Sequence, residues 1–146
     1  MTRRFYYYLT LMVLSAEIMV LEIVGAKALS PVFGSSHFVW MSQIIVTLLS
    51  LSAGAYSASL MDSRVNDQEK IAYELLVVPS AYIGFSTLFF SKIVFAFIDL
   101  SLSVSSLLAS IVLYFIPLSF ISFSYSMLVS KKIKEYPKNF GDRSYS

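Results

Sequence analysis

Three charged residues, Glu17, Glu22 and Lys27, stand in the otherwise mostly apolar run from Tyr6 to Ala28. A charged group in mid-bilayer costs about 2.5–3.5 kcal/mol on insertion scales. A chain that keeps such groups there is expected to hold them against protein or water. Two kinds of chemistry follow: the three residues lock the first helix into a bundle, or they form an intramembrane site for a cation or a proton. Glu22 is five residues from each of the other two, or about 140° around a helix, so the three share no single face. Partners on other helices are needed. Helical side chains lean toward the N-terminus, which is expected to tip the Lys27 ammonium back toward Glu22.

The segment that follows, Pro31, Phe33, Gly34, Ser35 and Trp40, reads as a helix break before a second apolar run. Proline lacks an N–H and disfavours helical geometry in the residue before it, so the first helix is expected to end at Pro31. His37 is the single histidine and cysteine is absent, so no thiolate or polyhistidine metal site is expected. The sequence also lacks a phosphate-cradling glycine loop, a nucleotide fingerprint and a convergent Ser/His/Asp set. Neither a cofactor nor an enzymatic activity is expected.

These residues must be positioned by membrane helices. Of the 146 residues, 57% are apolar and 14% charged, against about 25% charged in soluble domains. The pattern predicts an all-α integral membrane protein with four transmembrane helices over about 6–28, 37–61, 71–91 and 103–129. They make one transmembrane domain, 1–130, followed by a basic cytoplasmic tail, 131–146. The first run is too long, and too acidic, for a signal-peptide core of about 7–15 apolar residues. Ser50, Gly54 and Ala58 recur every four residues in the second helix; such a stripe lets helix backbones approach closely in lipid. Gln43 is the strongly polar side chain there. The stretch Asp62–Lys70 reads as a solvated turn without the glycine and spacing of an EF-hand. Pro79 predicts a kink in the third helix, Lys92–Asp99 reads as a short connection, and the fourth helix contains Pro117.

Four spans place Arg3, Arg4, Arg64, Lys70, Lys131, Lys132, Lys134, Lys138 and Arg143 on one side and Lys27 and Lys92 on the other. Nine cations against two put both termini in the cytoplasm by the positive-inside rule, with the chain multi-pass in the cytoplasmic (inner) membrane. The basic end is expected to touch anionic lipid rather than nucleic acid.

The run from Glu22 through Gly25, Lys27, Leu29, Pro31, Phe33, Gly34, Ser35 and Ser36 to Val39 and Trp40 resembles the membrane domain of the spermidine-synthase-like family. In that family a major-facilitator-like membrane region is fused to a spermidine synthase domain. Ser50–Arg64 and Ile116–Lys131 are similar in outline to later helices of that region. The likeness departs at Lys27, where the family usually has Arg, at Ala58-Ser59, where glycines are common, and at Asp62-Ser63-Arg64, which spaces out an Asp-Arg pair. No synthase domain is present in this sequence, so aminopropyl transfer is not implied. The resemblance implies a transporter-like or anchoring membrane module that works with a separate synthase-like or other membrane partner. The alternatives are a stand-alone small cation or polyamine transporter acting as a homodimer, and a structural subunit of a larger membrane complex; four helices rarely enclose a transport path alone, so a homo-oligomer or a partner is expected.

Overall fold

The computed structural model describes residues 2–61, 67–98 and 100–141. Residues 62–66 of the expected turn at Asp62–Lys70, with its Asp62-Ser63-Arg64 segment, and the chain end from Asp142 lie outside them, while Gln68–Lys70 of that turn are helical and open the third span earlier than expected. Every regular element among the described residues is helical. Four helical stretches, Phe5–Phe33, His37–Met61, Gln68–Phe95 and Leu102–Lys134, are long and apolar enough to cross a membrane, for which about 20 residues suffice.

Helix α1 spans Thr2–Phe33 and runs through Pro31, which corrects the expected break at that residue. Proline removes the N–H that would reach the Lys27 carbonyl and crowds that turn, but only the last half-turn follows it. The Ser30 hydroxyl supports the same turn by donating to the Ala26 carbonyl at 2.8 Å. The stop is Gly34, whose φ of +78° is the left-handed geometry that favours glycine just past a helix end. Helix α2, His37–Met61, starts three residues later.

The third span is two helices, α3 (Gln68–Leu75) and α4 (Val77–Phe95), broken at Leu76. Pro79 has no N–H for the Leu75 carbonyl, which is the expected cause of a kink one turn upstream. The Ser80 hydroxyl instead satisfies the Leu76 carbonyl at 3.0 Å. Lys92 lies on the last turn of α4 rather than in a connection, where a cation meets the negative end of the helix dipole.

The fourth span comprises α5 (Leu102–Ser110), a π-helical turn (Ile111–Phe115) and α6 (Ile116–Gly141). Pro117 cannot donate to the Val112 or Leu113 carbonyls, and the Tyr82 hydroxyl of α4 donates to Val112. A neighbouring helix thus re-satisfies a carbonyl freed by proline. Lys131, Lys132 and Lys134 belong to α6, so the helix carries on through the start of what the sequence reads as a tail.

Helix α6 is the hub, packed against α1, α2, α3 and α4, and its contact with α2 is the most extensive in the bundle. Two apolar clusters form the core. One gathers Tyr7, Leu14, Ala58, Ala72, Ile121, Met127 and Leu128; the other gathers Leu29, Phe33, Val39, Val94, Ala109 and Leu113. The first marks the end where α1 begins and α6 finishes. There the Tyr7 hydroxyl donates to the Leu128 carbonyl, Lys132 lies 5.4 Å from the Tyr7 ring centre, and Lys131 pairs with Glu69 at 2.5 Å. Large apolar side chains such as Met12, Leu48, Tyr56 and Leu88 face outward, as suits helices surrounded by lipid.

Candidate intramembrane polar site

Helix α1 distributes Glu17, Glu22 and Lys27 over different surroundings. Glu17 is half-buried and lines a cleft of about 310 Å³ with Leu9, Thr10, Val13 and Leu14 of α1, and Leu76, Pro79 and Ser80 at the α3–α4 break. Among the described residues no ion pair involves Glu17. Glu22 is also half-buried, on the stripe continued by Ala26, Leu29 and Phe33, all of them buried. Lys27 is exposed. No ion pair joins it to Glu22 among the described residues, so the expected tilt of Lys27 toward Glu22 is not made. The cause is angular: five residues carry Lys27 about 140° away from Glu22, further than the lean of a side chain along the axis corrects.

On α2, Ser50, Gly54 and Ala58 lie buried, Gly54 against α6. A Cβ on Gly54 would lie 2.3 Å from the Ser119 carbonyl oxygen and 2.9 Å from the Phe123 nitrogen, so only glycine allows the backbones this close. The Ser50 and Ser122 hydroxyls along this contact are paired. The Ser50 hydroxyl donates to the Val46 carbonyl at 2.6 Å, and Ser122 of α6 donates across to the Leu51 carbonyl at 2.8 Å.

Nearer the start of α2 the arrangement changes. Ser42 and Ser106 of α5 share a hydrogen bond at 3.0 Å, pinning the two helices together. Just beyond that pin lie Gln43, 0% exposed, and Thr47, 2% exposed, one turn apart on the same face. Ser110 follows Ser106 by one turn on α5 and is 0% exposed. Within the described residues, neither amide atom of Gln43 has a hydrogen-bond partner, and neither do the hydroxyls of Thr47 and Ser110. Gly25 makes room for this layer: a Cβ there would stand 2.6 Å from Gln43 Nε2 and 3.1 Å from Cζ of Tyr114. Glu22 stands three residues before Gly25 on α1. The hydroxyls of Ser36 and Ser124 are likewise buried and unpaired, at other levels of the bundle.

The sequence pointed to Gln43 only as a polar residue in an apolar helix. Thr47 and Ser110 were not legible as its companions, because their facing depends on how α5 packs against α2. The one local signal was the i, i+4 spacing of Gln43 and Thr47, which puts a carboxamide and a hydroxyl on one face.

The protein is thus an all-helical bundle whose four spans fit a membrane, with a lateral cleft at Glu17 and a buried polar layer at Gln43. No family model matches the chain, and no curated protein or solved structure matches it either.

Proposed function

We propose that the chain is a transporter-like module of the cytoplasmic membrane, with both termini in the cytoplasm, that binds an amine cation at Glu17 and acts with a second copy or a separate membrane partner. The observation that carries this reading is the setting of Glu17: a half-buried carboxylate without an ion pair among the described residues, in an open cleft between α1 and the bend of the third span. Ionisable groups retained in a span mark ligand or ion pathways, and a cleft bounded by a proline break has a natural place to change shape. Four helices enclose no full path by themselves, and the Glu17 cleft opens sideways, which supports the need for a partner. The nine-to-two cation asymmetry supports the orientation. The resemblance of the Glu22–Trp40 segment to spermidine-synthase-like membrane domains supports an amine as the cation.

The test is spermidine binding and flux with the full chain in proteoliposomes, comparing Glu17→Gln with Glu22→Gln. Binding is expected to fall at least tenfold in Glu17→Gln, corresponding to about 1.4 kcal/mol, and less in Glu22→Gln. Unchanged spermidine binding in a folded Glu17→Gln protein would remove Glu17 from the site. A reporter fused near Ser35 that reads out on the cytoplasmic side would overturn the orientation.

A further inference from the structure

The buried layer between α1, α2 and the π-helical turn carries an inference of its own, independent of the Glu17 reading. Gln43, Thr47 and Ser110 together bury a carboxamide and two hydroxyls with no protein partner among the described residues, and all three are at most 2% exposed. Buried polar groups are almost always paired with protein or with ordered water. In a membrane span the cost of leaving them bare is not relieved by bulk solvent.

The chemistry of the layer restricts what completes it. The Gln43 amide offers two N–H donors and a carbonyl acceptor, so its complement must both accept and donate. A bare metal cation would satisfy the oxygens and still leave the two N–H groups without an acceptor. This holds whichever way the amide is turned. On the α1 side the amide is closely packed: a single added carbon at Gly25 would stand 2.6 Å from Gln43 Nε2 and 3.1 Å from Cζ of Tyr114. The complement is therefore neutral and amphiprotic.

We propose that Gln43, Thr47 and Ser110 form an internal hydration site, holding one or two ordered water molecules between α1, α2 and the π-helical turn, with Tyr114 at its wall. A buried water typically makes about three hydrogen bonds to groups of this kind. The site sits where the fourth span leaves regular α-helical geometry, a place where π-helical turns are frequently functional.

The test uses the full chain in nanodiscs and radiolytic hydroxyl labelling in ¹⁸O-water, which marks side chains adjacent to bound water. Tyr114 is expected to label well above Phe123, which is packed in the apolar cluster at 7% exposure. Gln43→Leu is expected to suppress the Tyr114 label and lower the unfolding temperature. Label at Tyr114 no greater than at Phe123 in the wild-type protein would overturn the proposal, whether or not the variant folds. So would a folded Gln43→Leu protein of equal or higher melting temperature. A melting temperature that rises with sodium or potassium but not with choline at equal ionic strength would also overturn it, by assigning the layer to a cation.

Discussion

The two halves of α2 both bury polar or small residues against the fourth span, yet they do so under different rules. From Ser50 onward the contact is close and closed: Gly54 touches backbone, and Ser50 and Ser122 spend their hydroxyls on carbonyls. From Ser42 to Thr47 the contact is pinned by one serine pair and then opens into a layer whose amide and hydroxyls have no protein partner among the described residues. Polarity inside a span is therefore not one signal. A hydroxyl that returns to a backbone carbonyl is part of packing, whereas an unpaired carboxamide asks for something from outside the chain. Both kinds read alike as single letters in a row.

The sharpest way to break this comparison is Gly54→Ala. The added carbon meets backbone, which cannot swing aside, and overpacking of this kind costs about 1–3 kcal/mol. The expected outcome is a marked fall in thermal stability in detergent; little change would mean that α2 and α6 are not held as closely as described. Next comes Ser122→Ala, which removes the cross-helix hydrogen bond to Leu51 and is expected to cost about 0.6 kcal/mol, read as a small drop in the same melt. The smallest effect is expected from Gly25→Ala. Its new carbon meets the end of the Gln43 side chain, which can rotate, and alanine recovers about 0.5–1 kcal/mol of helix propensity. A net change within about 1 kcal/mol would fit. If Gly25→Ala proves as damaging as Gly54→Ala, Gln43 is as rigidly held as the α6 backbone and the contrast fails.

Much of the fold was legible in the sequence because lipid imposes a simple rule: long apolar runs separated by polar or Gly/Pro punctuation become spans. The second helix, 37–61, coincides with α2. The departures have local causes. Pro31 was read as a stop, but a proline half a turn from a helix end removes little, and it is Gly34, with its left-handed backbone, that stops α1. The ends near Lys92 and Lys131 run further than polarity suggested, because a helix does not stop where hydrocarbon stops. The candidate charges were legible as residues but not as neighbours: Glu22 and Lys27 lie close in sequence and diverge around the helix. The Gln43 layer depends on three segments meeting, and no window along the chain contains that information.

The π-helical turn at Ile111–Phe115 has a consequence for how the gene tolerates change. A wider turn takes in one residue more than regular α-helix would, so it offsets the phase of everything after it by about 100°, the angle of one residue. Ser106 meets Ser42 before the turn and Ser122 meets Leu51 after it, so the offset lies between the two meetings. Deleting any one codon between Ser110 and Ile116 would leave the span long and apolar, and hydropathy would hardly register the loss. It would nonetheless rotate Ile121, Met127 and Leu128 away from the core, so in this segment the number of residues is under tighter constraint than their identity.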